Sequence, residues 1–162
     1  MPIDAAHFRA TLRLRAASVA IVTARHGERV HGMTVSDFAG VSLEPPLMLV
    51  CADKKSNTLP VIEAGGNFCV NLLATGQEAL SDRFASKEHE WTRFEGLACE
   101  RSESGAPMIP GALASLDCRV VALHDAGDHV IVVGRVEAAR HAFGEPLLHW
   151  NGSYQQLVAK AR

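Results

Sequence analysis

The sequence predicts a mainly β domain, an antiparallel barrel or sandwich carrying three short helices. Three observations predict it. About seven apolar runs are rich in β-branched residues, turn residues connect most of them, and strands do not alternate with crossover helices as a parallel sheet requires. The 162 residues are one domain's worth, assigned as a single unit over 1–162, and enough to bury a core without disulfides or metal. No internal repeat or low-complexity linker divides them.

Asp4 can cap a short helix that carries Phe8 and Leu12 on one face. Residues 18–24, SVAIVTA, have the β-branched content of a strand, and RHGE at 25–28 is a polar turn around Gly27. RVHGMTV at 29–35 returns as the second arm of a hairpin. A polar loop is expected next, in which Glu44, Pro45 and Pro46 interrupt pairing, because proline has no N–H and restrains its predecessor. LMLVCA at 47–52 resumes as a buried strand.

Ser56, Asn57 and Thr58 offer capping oxygens to a short helix over LPVIEA, with Pro60 in its first turn and Gly65 past its end. Residues 67–74 read as a strand, and 76–86 place Ala79, Leu80, Arg83 and Phe84 at helical spacing. The charged stretch 87–96 reads as a surface loop in which Trp91 and Phe94 are anchors. Two long strands, 112–124 and 129–139, close the chain as a hairpin around DAGD.

Composition excludes several function classes. With 48% hydrophobic and 21% charged residues and a formal net charge of -2, the chain reads as an ordinary globular protein. Its Lys and Arg residues are scattered, so no basic stripe is available to nucleic acid. The apolar run at 16–24 is too short to span a bilayer and follows an amphipathic helix, so neither a signal peptide nor a membrane span is expected. Cys51, Cys69, Cys99 and Cys118 stand apart without a CxxC pair, as buried thiols of a cytoplasmic protein do. The eight histidines lack a two-ligand spacing, so no metal site is expected. Rossmann, P-loop, zincin and nucleophile-elbow fingerprints are missing.

What remains is hydroxyls and amides at strand ends. Thr34, Ser36 and Asp37 alternate with apolar Met33 and Val35, a pattern that suits a flat heteroaromatic ring or, taken alone, an edge strand facing water. Lys54, Lys55, Ser56, Asn57 and Thr58 gather charge and hydroxyls where a helix begins, a place that favours phosphate. Ser81 and Arg83 on the following helix offer a second phosphate contact or simply a solvated face.

The segments GMTVSDFAGVSLEPPLMLVC, SNTLPVIEAGGNFCVNLLA, QEALSDRFA, GAPMIPGALASLDCRVV and AGDHVIVVGRVEAA, in this order, resemble the flavin reductase family. These are small NAD(P)H:flavin oxidoreductases with an FMN-binding split β-barrel, and the resemblance runs from Phe8 to Tyr154. It implies an enzyme that moves a hydride from NADH or NADPH to FMN or FAD and hands the reduced flavin to a partner monooxygenase. It also implies a homodimer. The alternative is a non-enzymatic flavoprotein that stores or carries electrons on FMN.

Carried over by position, Thr34, Val35, Ser36 and Asp37 match the segment that contacts the isoalloxazine ring. The family often has serine or asparagine where this chain has Asp37, and a carboxylate there would repel a reduced anionic ring. Ala52, Asp53, Ser56, Asn57 and Thr58 match the stretch towards ribityl and phosphate, and Asn71 and Leu72 a strand lining the same pocket. Ser81, Arg83, Phe84 and Ala85 resemble the helix end that holds phosphate. His129 matches a position associated with nicotinamide, or is a hairpin histidine facing solvent, and Tyr154 lies in the C-terminal segment near the site. Hydride transfer between two cofactors needs alignment and hydrogen bonds to the ring, so no catalytic dyad is required of the protein.

Overall fold

The computed structural model describes residues 2–158; the outermost ends of the single unit expected over 1–162 lie outside it. The elements run α1 (Ala5–Leu12), β1 (Ala17–Ser18), β2 (Ala20–His26), β3 (Arg29–Val35), β4 (Phe38–Leu43) and β5 (Pro46–Asp53). Then come α2 (Leu59–Gly65), β6 (Asn67–Leu72), α3 (Glu78–Ala85), β7 (Glu100–Arg101) and β8 (Pro107–Met108). The chain finishes with β9 (Ala114–Ala126), β10 (His129–His141), β11 (Leu148–Trp150) and β12 (Ser153–Gln155).

Seven strands form one sheet in the order β3-β2-β6-β9-β10-β5-β4, and every pair in it is antiparallel. Its edges are β3 and β4, which are consecutive in the chain and joined only by Ser36 and Asp37. At about 3.6 Å per residue the two edges stand within roughly 11 Å at that corner, so the sheet must curl round on itself. Among the described residues no ladder pairs β3 with β4. A small sheet, β1-β11-β12, joins the two ends of the chain.

Curling gives the sheet an inner and an outer apolar face. Ala20, Val22 and Ala24 of β2 join Val50, Phe68, Val70 and Val132 in the inner core, which Leu59, Val61 and Ile62 of α2 cover. Val19 and Ile21 turn the other way, to Phe84 of α3, Leu73, Ile109 and Leu147. β2 is thus buried on both sides, which is why its sequence is a near-continuous apolar run. Gly32 of β3 lets α3 approach: a Cβ there would lie 2.9 Å from the Phe84 ring.

Most expected elements appear, with some differences. Asp4 caps α1, accepting from His7 N at 2.8 Å, but none of that helix's residues is buried. The loop expected after residue 35 is largely strand: β4 pairs with β5, and Glu44 and Pro45 make their turn, with Leu43 opposite Pro46. As the first residue of its strand, Pro46 breaks no internal pairing. Gly66, rather than Gly65, takes the left-handed conformation that ends α2, at φ 62°. The stretch 87–96 is not all surface, since Arg93 is buried. No helix among the described residues is long and apolar enough to cross a membrane.

Candidate functional site

A cleft of about 230 Å³ opens where the end of β3 meets α3 and the small sheet. It is lined by Val19, Thr34, Val35, Ser36, Ser81, Ala85, His149 and Tyr154. Each wall follows from local structure. Alternation along β3 sends Met33 and Val35 to the inner core and Thr34 to the opposite face, beneath α3. One helical turn then separates Ser81 from Ala85, which puts both on the face of α3 that borders the cleft.

Hydrogen bonds fix the walls to each other. Thr34 Oγ1 donates to the Ser81 carbonyl at 2.6 Å, joining β3 to α3. Tyr154 Oη donates to Asp82 Oδ1 at 2.6 Å and lies 2.9 Å from Ser81 Oγ, joining the small sheet to the same helix. Burial, then the bond to Asp82, pushes the Tyr154 phenol above its ordinary range, so it stays a donor at neutral pH. His149 packs edge-on against Tyr154, ring centres 5.8 Å apart. β3 is an edge strand beyond β2, so among the described residues its outer backbone groups have no strand partner.

The other residues named from the sequence fall into separate groups. Asp37 leaves the cleft, is exposed, and pairs with Arg15. Ala52 and Asp53 end β5 directly opposite Val130 and His129 of β10. His129 Nδ1 lies 2.7 Å from Asp128 Oδ1, and this hydrogen bond holds the Asp128 carboxyl below its usual range. Ser56 Oγ contacts Met33 Sδ at 3.1 Å, Asn57 donates to Glu90 at 3.0 Å, and buried Thr58 bonds His31 Nδ1 at 2.8 Å.

Leu72 packs on the inner core, while the Asn71 side chain is fully enclosed between β2, β9 and the segment after β8. Phe84 is buried beneath Gly32. Arg83 lines a neighbouring groove with Ala79, Asp82, Ser86, His89 and Thr92, and donates through Nη2 to the carbonyls of Thr92 and Glu95.

Val19, His149 and Arg15 were not singled out from the sequence. They reach the site through the pairing of β1 with β11, which sets Ala17 opposite His149 across most of the chain's length. No local pattern announces such a contact. Buried His31 and Arg93, with half-buried Glu90 between them, are not legible in the sequence, because Glu90 and Arg93 lie in a polar run that reads as solvated. The one available signal was Arg93 lying next to apolar Phe94.

The family model described as the flavin reductase like domain matches residues 12–158. A flavin-dependent monooxygenase reductase subunit from Mycobacterium tuberculosis is 41% identical over 94% of this chain and 82% of that protein. An FMN reductase (NADH) from Agrobacterium fabrum is 41% identical, covering 91% of this chain and 83% of the relative. The structure of an NADH:FAD oxidoreductase from Streptomyces globisporus, in complex with NAD and FAD fragments, superposes with a TM-score of 0.91. It is 33% identical and covers 98% of this chain and 96% of that one. A match that takes in β3, α3 and Tyr154 together, and so every wall of the cleft, makes the chain a member of the flavin reductase like domain family.

Proposed function

We propose that this chain is an NAD(P)H:flavin oxidoreductase that binds FMN or FAD in the cleft and supplies reduced flavin to a separate monooxygenase. The observation that carries the reading is the convergence of Thr34, Val35, Ser36, Ser81, Ala85 and Tyr154, from three separate segments, on one cavity. The names of its relatives, a monooxygenase reductase subunit and an NADH-linked FMN reductase, support it.

The donor set suits a flavin. Val19, Val35 and Ala85 provide apolar contact for a flat ring, and the Ser36 and Ser81 hydroxyls and the open edge of β3 provide hydrogen-bond partners at its rim. When bound, the flavin supplies the redox chemistry, accepting a hydride from reduced nicotinamide. The chain's own part is placement. Thr34 keeps β3 and α3 at a fixed spacing, and Tyr154 holds the small sheet against α3. Asp53, Ser56, Asn57 and Arg83 are the chain's candidates for the ribityl chain and anionic tail, and His129 for the nicotinamide side, while Ala52 and Thr58 are fully buried and act from beneath. Asn71, Leu72 and Phe84 act from beneath, holding β6 and α3 in position.

The curled sheet supports the split-barrel description, and the family resemblance a single domain. α1 leaves Phe8 and Leu12 exposed, faces for a second copy in a homodimer. Four free thiols suit a reducing cytoplasm. The test is a steady-state assay crossing FMN and FAD with NADH and NADPH. Nicotinamide consumption that depends on added flavin, at a rate set by one preferred pair, is expected. A protein that binds flavin yet leaves every nicotinamide unoxidised under anaerobic mixing overturns the reading in favour of a carrier.

A further inference from the structure

Arg15 stands beside the cleft without a part in the reading above. The segment that carries it is tied to the small sheet: Asn151 N donates to the Arg13 carbonyl at 2.9 Å and Trp150 Nε1 to the Leu14 carbonyl at 3.1 Å. That sheet contributes His149 and Tyr154 to the cleft. From there the Arg15 guanidinium reaches Asp37, the residue directly after Ser36 of the β3 wall, and pairs with its carboxylate. The two side chains are 50% and 62% exposed, so the pair contributes little to stability and its main effect is on local charge. The Asp37 charge is felt by its surroundings, since after burial it is the next influence raising the Cys51 thiol.

Resting on the flavin-reductase reading, we propose that Arg15 is a positioning residue: it cancels the Asp37 carboxylate at the cleft mouth, so that the site holds a reduced, anionic flavin ring as well as an oxidised, neutral one. An oxidised ring carries no net charge and is indifferent to an added carboxylate, whereas the anionic reduced ring is repelled by it. Across a partly solvated rim, one uncompensated charge changes binding by about three- to tenfold at low salt.

The experiment compares wild type with R15Q, D37N and R15Q/D37N. Dissociation constants for oxidised and anaerobically reduced FMN and FAD are measured at low and high ionic strength, together with the midpoint potential of the bound flavin. R15Q is expected to weaken reduced-flavin binding about three- to tenfold relative to oxidised flavin and to lower the potential. High salt shrinks that difference, and R15Q/D37N restores the wild-type ratio. Equal effects of R15Q on both redox forms, no effect, or no rescue in the double variant overturns the proposal while leaving the flavin reading intact. A wild-type protein that binds neither flavin overturns the reading itself, and this proposal with it.

Discussion

Two buried polar clusters sit beside β2 and β3, and they are finished differently. Around Asn71 every side-chain atom is used: Oδ1 accepts from Ile109 N at 3.0 Å and Ser115 Oγ at 2.8 Å, and Nδ2 donates to the Ile21 carbonyl at 3.0 Å. Around His31 capacity is left over. Its Nδ1 is 2.8 Å from Thr58 Oγ1, but Nε2 faces Glu90 at 3.4 Å without a hydrogen bond. Arg93 donates to the carbonyls of Gly32 and Ser86, each at 2.7 Å, while its Nε finds no partner among the described residues. A closed cluster welds strands together, because breaking one bond strands several buried groups. An open one fastens the segment after α3 to the sheet through few bonds, so that segment can lift while the sheet stays whole.

The largest expected effect is at the closed cluster. Asn71→Ala leaves the Ile109 amide, the Ser115 hydroxyl and the Ile21 carbonyl short of partners, and should cost about 3 kcal/mol of global stability. Urea denaturation measures it, and unchanged stability would erase the contrast between the clusters. Arg93→Met should cost roughly 2 kcal/mol, since two carbonyls lose their donor. Hydrogen exchange is expected to quicken mainly over 86–97, and quickening spread over the whole sheet would mean that this cluster is a weld too.

The smallest effect concerns protons. Burial, then the Arg93 cation, lowers the His31 pKa below 6.5, so the unfolded chain takes up the proton more readily than the folded one. The stabilising contribution is fully present above the unfolded value and is lost as pH falls through the lower, folded one. His31→Gln should therefore flatten the decline in urea midpoint between about pH 7 and pH 5. An identical decline in the variant would remove His31 from the account.

What the sequence made legible follows from how each element is buried. β2, β5, β6 and the β9–β10 hairpin declared themselves because apolar residues face a core, and α1 because Asp4 caps it. β4 did not: four of its six residues are exposed and only Phe38 packs on the core, so no apolar period separates it from a loop. Arg93 was unreadable because its burial depends on the Gly32 carbonyl, which only the packing of α3 against β3 brings near. In the cleft, Thr34, Ser36 and Ser81 stood out as hydroxyls in motif positions, and the structure gathers them with Tyr154. Val19 and His149 depend on the two ends of the chain meeting, an event that no short window contains.

The strand order sets a timetable for synthesis. The hairpin of β2 and β3 leaves the ribosome first and finds its neighbour β6 soon afterwards. The hairpin of β4 and β5 must wait for β10, more than seventy residues downstream, before its inner edge is covered. Until then Val50 and Ala52 sit on a strand with one edge unpaired, so a nascent chain stalled short of residue 129 is the form of this protein most open to aggregation.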